Sequence, residues 1–446
     1  MAPMEPWQRV WIDANTYATD IHSLINCTEC HQGQSVEDME VAHTEMVVSP
    51  TEQADVTCAK CHPAITAASA NSLHNTLAGY DTALYERSIP ENHLTIENME
   101  SYHCDSCHAT CGDCHVSQPT SVGGGLLQGH TFLEEPTMSR NCTACHGSRV
   151  KDEYYGAHEE IPSDVHFRGR MACNDCHTGD EMHGITTADA AHRYDGAQGP
   201  SCESCHKAEI GAGSGILQHE IHGTESISCQ VCHSVTYSNC INCHVERNED
   251  DIAFFAVEQN WLGFYIGHNV LRDGDRPYEY VTVRHVPIDE DSFSFYGENL
   301  LPNYSNRPTW AYSTPHNIQR NTPQTQSCTT CHGNDAIFLT ADKVAPEELE
   351  ANADIIVPAA PPLPEGYENV ITGEVAPTDA PATEGGDFWG GSSDTLTPEA
   401  TEPTGDGFWG DSSDTETTPT PETDFWGGAE EPAATPTAEG SFWGSD

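Results

Sequence analysis

Every cysteine in this chain belongs to one five-residue pattern, Cys-x-x-Cys-His, which recurs ten times and leaves none of the 20 cysteines over. The pairs are Cys27/Cys30, Cys58/Cys61, Cys104/Cys107, Cys111/Cys114, Cys142/Cys145, Cys173/Cys176, Cys202/Cys205, Cys229/Cys232, Cys240/Cys243 and Cys328/Cys331. The closing histidines are His31, His62, His108, His115, His146, His177, His206, His233, His244 and His332. Whatever these side chains hold pins the backbone at ten points. Two cysteines three apart rarely close a comfortable disulfide with each other. A redox dithiol or half a zinc site also uses Cys-x-x-Cys, but neither requires histidine directly after it. With 25 histidines in 446 residues, ten chance hits in ten patterns is an event on the order of one in 10^12.

The spacing is that of a c-type haem attachment site. Each thiol adds across one vinyl group, and the following histidine lies under the iron as its proximal ligand. The twenty cysteines are therefore expected to carry ten covalently attached haems c, with the motif histidines as iron ligands. The expected function is electron chemistry.

Fifteen histidines lie outside the motifs, against ten irons that need a sixth ligand. His22, His43, His166, His192, His222 and His316 sit a short distance before a motif, and His130 precedes Cys142 by twelve residues. His74 lies on a predicted helix and His183 closely follows a motif. His219 and His222, three apart on one predicted helix face, can serve two neighbouring sites. His285 follows a predicted strand. These eleven histidines are the expected distal ligands. His93, His103, His158 and His268 fall outside the set; His103 directly precedes Cys104 and cannot bend back to its own haem. None of the eight methionines sits in a ligand context. A second imidazole saturates an iron and holds its potential low, which favours a conductor over a catalyst.

The first cysteines of successive motifs are 31, 46, 7, 31, 31, 29, 27, 11 and 88 residues apart. A spacing near 30 recurs and reads as a repeated module. The short steps, in CDSCHATCGDCH and CQVCHSVTYSNCINCH, place two haems close together. So few residues per haem cannot build an ordinary apolar core. The expected fold is mainly α and irregular, with the haem chain as core and short helices and coil around it. Helices are predicted over 63–78, ending at Gly79, and 215–222, ending at Gly223. In the longest gap, 252–257, 261–266 and 278–283 are aromatic and β-branched, and predict a small β-ribbon near 252–283. It is read as a lid over haem edges, with a substrate or docking face as the alternative. Residues 1–250 form a nine-haem region, 251–344 the ribbon and tenth haem, and 345–446 a tail.

The tail holds 23 acidic residues and no basic one, and is expected to be disordered. It repeats Phe-Trp-Gly at 388–390, 408–410, 425–427 and 442–444, where half of the eight tryptophans lie. Four copies of an aromatic pair suit docking through raised effective concentration, to a partner protein or cell-surface component.

The whole chain carries a formal charge of −53. A nucleic-acid partner needs a basic face and is excluded; an anionic membrane surface is disfavoured for the same reason. No apolar run reaches the roughly 18 residues of a membrane span. The opening MAPMEPWQRV does not read as a signal peptide. Covalent haem attachment takes place outside the cytoplasm, so an exported protein, extracellular or periplasmic, with a trimmed signal segment is expected.

Over roughly residues 20–335 the chain resembles multihaem c-type cytochromes. The resemblance rests on the ten motifs, the doubled CDSCHATCGDCH, the approaches DVHFRGRMACNDCH and TPHNIQRNTPQTQSCTTCHG, and HEIHG before SCQVCH. It implies a decahaem electron conduit that exchanges electrons with other redox proteins. It also implies possible self-assembly, as in cytochrome filaments where a histidine of one chain ligates a haem of the next. More distantly the chain is similar to octahaem tetrathionate reductase and hydroxylamine oxidoreductase. That similarity implies an alternative: an oxidoreductase acting on a small nitrogen or sulfur oxyanion at one open haem. The Cys-x-x-Cys-Lys variant found in such enzymes is missing here, and no substrate turnover is expected.

Overall fold

Most elements are a single turn long. A computed structural model of the chain describes residues 5–367, apart from 106–107, 120–121, 128, 158–160, 188–189, 196–198, 237–238 and 261–262. The expected tail with its Phe-Trp-Gly repeats, and His158, lie outside the described residues. Helical turns cover Cys27–His31, Cys111–His115, Cys202–Cys205 and Cys229–His233. Tighter turns cover Cys58–Lys60, Cys173–Asp175 and Cys328–Thr330. One turn brings residues three apart onto the same face, so both cysteines of a motif are presented together.

Acidic residues start many of these turns. The side chains of Asp13, Asp38 and Asp164 accept from backbone amides two or three residues on. A carboxylate at a helix start satisfies otherwise unpaired donors and opposes the positive end of the helix dipole.

Four helices position histidines or apolar side chains away from the motifs: α1 (Pro63–Ser69), α2 (Ala78–Tyr85), α3 (His93–His103) and α4 (Leu217–His222). The helix expected over 63–78 stops at Ser69, and Gly79 falls inside α2 instead of ending α1. The hydroxyls of Ser69 and Ser72 donate to Thr66 O and Ser69 O, bonds that compete with the helical ladder. The chain turns there, and His74 leaves on the turn. The helix expected over 215–222 is α4, closed by Gly223 at φ 62° and ψ −151°, a conformation open essentially to glycine alone.

The expected ribbon is two antiparallel sheets. Strand β1 (Asn239–Arg247) pairs with β2 (Ala253–Asn260), in the register His244 opposite Ala256. The second sheet has the order β3 (Tyr265–His268), β4 (Tyr280–His285), β5 (Trp310–Tyr312). Strand β4 is buried on both faces: Val281 and Val283 join one apolar cluster, while Arg284 pairs with the buried Glu153 at 2.6 Å. The ninth motif makes no helical turn. Its backbone runs within β1, with Cys240 opposite Gln259 and Cys243 opposite Val257, and the register shifts between Ile241 and Cys243. Such a shift inserts an extra residue and bends the strand.

Apolar packing is concentrated late in the chain. One cluster joins Leu84 of α2, Ile96 and Met99 of α3 and Val245 of β1 to Phe293, Leu300, Leu301 and Tyr304. A second holds Val281, Val283, Trp310, Tyr312, Leu339, Val344 and Ile355. A third holds Val231, Ile266, Phe338 and Val357. These clusters correct the boundary expected at residue 344. Ile355 and Val357 are buried, and Asn352 accepts from Thr309 N and Trp310 N, so the folded body runs beyond 344. The acidic composition after 344 concealed a short apolar run, Ile355–Val357, that closes two clusters.

Glu100 on α3 is 1 % exposed, and its Oε1 has no hydrogen-bond partner. Burial, then the charges of Asp81 and Glu97, push its carboxyl up to about 7. The folded state therefore holds a proton that the unfolded chain releases near its ordinary value. Stability from this group is full at low pH and falls as pH rises toward 7. Glu100→Gln is expected to flatten that fall, raising stability at pH 8 by on the order of 2–3 kcal/mol relative to pH 4.5. Thermal melts at the two pH values check this; an unchanged pH slope would contradict it.

Candidate metal centres: paired histidines

The histidines come together in twos. His31 faces His130 with ring centres 6.0 Å apart, and His62 faces His22 at 6.4 Å. His115 faces His183 at 6.1 Å, His146 faces His74 at 6.2 Å, and His177 faces His316 at 6.4 Å. His206 faces His166 at 6.0 Å, His233 faces His219 at 6.0 Å, and His332 faces His222 at 6.2 Å. Each of these eight pairs joins one motif histidine to one histidine outside the motifs, and no histidine is used twice.

This spacing has a simple physical meaning. A bond of about 2.0–2.1 Å from each imidazole nitrogen, with a further ~1.1 Å to each ring centre, puts two rings on opposite sides of one metal ion about 6.2–6.4 Å apart. The residues present fit a metal ion held between two imidazoles. Among the described residues no three or more His, Cys, Asp or Glu side chains gather as a metal-binding group.

Cys61 is exposed and ends the tight turn begun by Cys58, donating its N–H to Cys58 O at 3.1 Å. Cys145 is half-buried and closes the turn Thr143–Cys145. Both keep the turn geometry that an attachment site needs. Cys107, the expected second anchor of the third motif, lies outside the described residues; its partner Cys104 directly follows α3. Cys243 departs from the expected arrangement. Its backbone is held opposite Val257 in β1, so the ninth pair, Cys240 and Cys243, is not brought together by one turn. The cause is strand pairing with β2, which overrides the local turn that the other motifs adopt.

Second partners set which nitrogen is free. His31, His115, His233 and His332 donate Nδ1–H to the carbonyls of Val47, Leu133, Gln319 and Pro362 at 2.9, 2.6, 2.9 and 3.0 Å. His177 donates to Glu181 Oε1 at 3.0 Å, and His222 to Gln218 O at 2.9 Å. His219 bonds Glu209 O through the same atom. A histidine tied at Nδ1 offers a bare Nε2 lone pair, the arrangement that orients imidazoles toward a metal. Burial, followed by the nearby His74, His316 and His177, pushes His146 down to about 4. That keeps it in the neutral, ligating form at pH 7.

Two ligand pairs share an Asp-x-His device that motif spacing did not reveal. Asp20 caps the turn at Ile21–Leu24, accepts from His22 Nδ1 at 2.8 Å, and accepts from the distant Phe132 N at 2.6 Å. Asp164 caps Val165–Arg168, accepts from His166 Nδ1 at 2.9 Å, and accepts from Ile318 N at 2.6 Å. Burial raises the Asp20 carboxyl, but the bonds it accepts outweigh this and hold it below the ordinary range. The bond to Asp164 raises His166 above its usual value despite burial. Each carboxylate thus fixes one ring and ties together chain segments more than a hundred residues apart. The signal available in the sequence was the repeated Asp-x-His, five and seven residues before a motif.

Backbone freedom places another ring. Gly184 has φ +73°, and a Cβ there would stand 2.7 Å from Ser72 Cβ. This close approach seats His183 beside the end of α1.

Three expected distal ligands stand apart from the eight pairs. His285 is edge-on to Trp310, with its Nε2 3.5 Å from Glu348 Oε1, because β4 directs it into the second apolar cluster. His192 stacks near Tyr194 and its Nδ1 accepts from Tyr194 N at 3.3 Å. His43 is exposed, with Nδ1 on Met39 O at 2.6 Å. None of the three faces a motif histidine among the described residues. Proximity in sequence to a motif did not translate into proximity in space. Of the two remaining motif histidines, His108 packs near Tyr80 at 5.9 Å, and His244 Nε2 lies 3.7 Å from Asp289 Oδ2. His93 stacks on Tyr85, His103 bonds Tyr296 OH, and His268 packs on Tyr280.

Comparison with protein-family models, curated proteins and solved structures finds no match to the chain. No helix among the described residues is long and apolar enough to cross a membrane.

Proposed function

We propose that this chain is an exported decahaem c-type cytochrome that carries electrons between external redox proteins. The observation that carries the reading is the eight-fold pairing of a motif histidine with a second histidine at 6.0–6.4 Å. A tetrapyrrole iron would need two further ligands from the protein, and the paired imidazoles would supply them. Such a site needs two protein nitrogens where zinc needs four protein ligands. The irons, cycling between ferric and ferrous, would supply the electron chemistry.

The chain's own residues would then do three things. The cysteines fix each porphyrin covalently. The eight histidine pairs would supply two imidazoles to each of their irons, excluding substrate there and holding potentials low. The carboxylates of Asp20, Asp164 and Glu181 strengthen their imidazoles as donors and stabilise the ferric state. Asp164→Asn is accordingly expected to raise one midpoint potential by on the order of tens of millivolts, with haem content unchanged. Spectroelectrochemical titration of the variant checks it; an unmoved titration curve would remove Asp164 from this role. The Phe-Trp-Gly tail would tether the protein to a partner or surface layer.

A full reductive titration tests the function itself. The chain is expected to take up ten electrons and return them to a soluble acceptor, without consuming nitrite, hydroxylamine or tetrathionate. The second reading, an oxidoreductase at an open haem, draws on His108, which packs near Tyr80 at 5.9 Å. Sustained turnover of one of those compounds would favour it.

A further inference from the structure

We infer that eight of the motifs form a single file in the order first, second, fourth, fifth, sixth, seventh, eighth, tenth, and that the third stands beside the file as a side arm. This rests on the electron-carrier reading, and it departs from chain order at the doubled motif CDSCHATCGDCH.

The joints of the file can be followed residue by residue. Between the first and second motifs, Lys60 Nζ bonds Glu29 O and Oε2 at 3.2 and 3.3 Å. Their facing histidines, His130 and His22, both pack on Phe132, at 5.5 and 3.9 Å. The second motif then meets the fourth: on the turn that leads into the second motif, Thr51 Oγ1 lies 3.0 Å from Thr110 Oγ1, and a Cβ on Gly112 of the fourth would stand 2.7 Å from that same oxygen. Asn141, beside the fifth motif, donates to Asp113 O within the fourth and to Ser117 O just after it, at 2.6 and 3.2 Å. His316, which faces the sixth motif, donates its N–H at 2.7 Å to Glu153, on the turn just after the fifth, and His219, which faces the eighth, bonds Glu209 O just after the seventh. Met171, two residues before the sixth motif, donates its N–H to His166 O at 3.0 Å, and His166 faces the seventh. Helix α4 makes the last joint, because His219 faces the eighth motif and His222 the tenth.

The third motif takes another neighbour. Ala109 N, directly after His108, donates to His74 O at 2.8 Å, and the His74 ring faces His146 of the fifth motif. Cys104 packs on the apolar cluster of α2 and α3. The third motif therefore lies against the flank of the file, and the fourth motif packs on the turn that leads into the second. The path has its two ends at the first and tenth motifs, and the side arm gives it a lateral point of electron exchange. Each electron entering from an external one-electron donor reduces one ferric site and leaves to an external acceptor; no bond is made or broken.

The test compares two variants of the haem-loaded chain, Cys104→Ala/Cys107→Ala and Cys111→Ala/Cys114→Ala. Each removes one haem. Current across a film is expected to fall at least tenfold further in the second variant than in the first. Equal loss in both would overturn the inference. If either variant fails to fold, an electron cryomicroscopy map of the unmutated, loaded chain decides. The iron of the second motif is expected to have those of the first and fourth as its neighbours; an iron of the third between them would overturn the file. A protein that purifies without ten haems fails the electron-carrier reading itself, which separates the two failures.

Discussion

Produced without haem attachment, the chain is expected to lose hydrogen-exchange protection throughout residues 5–83, while the sheet β3–β4–β5 retains part of its own. Among the described residues no hydrophobic side chain before Leu84 is buried, whereas the buried set is dense from Phe264 to Val357. Between Trp7 and Val56 the large apolar side chains lie open instead, among them Trp7, Trp11, Leu24, Met39 and Val48 at 56–85 % exposure. Ordering a backbone costs roughly 1–2 kcal/mol per residue, and burying a large apolar side chain returns about 1.5–3 kcal/mol. A segment that buries none of its own must be held by something else, and in the proposed protein that is the porphyrin and its two bonds to iron. Hydrogen exchange read by mass spectrometry on chains made with and without attachment checks this. Equal protection of 5–83 in both would contradict it.

A single proline in α4 is expected to disturb two sites at once. Glu220 N donates to Ile216 O at 3.0 Å inside the helix, and His219 and His222 lie on either side of it. Glu220→Pro removes that bond and clashes with the preceding turn, at a cost of about 3 kcal/mol or more. Both imidazoles then lose their aim at the eighth and tenth motifs, while the cysteines that anchor those haems are untouched. The expected spectrum keeps all ten haems but converts two irons from low spin to high spin. Magnetic circular dichroism of the ferric protein reads the change directly. A spectrum with all irons still low spin would show that α4 does not supply those ligands.

How much of this was legible beforehand differs by feature. The motif cysteines and histidines were fully written in the sequence, because covalent attachment demands a fixed local pattern. His219 and His222 were readable as a pair serving two sites, since three residues on a helix fix their relative direction. His43, His192 and His285 were not separable from the eight paired histidines by distance to a motif. What distinguishes those eight is long-range folding, as when Asp20 draws Phe132 and His130 toward the first two motifs. The strands were visible as aromatic and β-branched runs, but the capture of Cys240 and Cys243 by β1 was not. Its pairing with β2 depends on residues beyond the motif itself. The body's end was misread because charge dominates composition after 344, while three apolar residues decide the packing.

The most direct test of the central claim is an iron count combined with low-temperature electron paramagnetic resonance on the purified protein. The account predicts ten covalently held irons per chain, with the low-spin signature of two axial imidazoles at the eight paired sites. A protein without covalent haem, or one whose paired sites are mostly high spin, would contradict it.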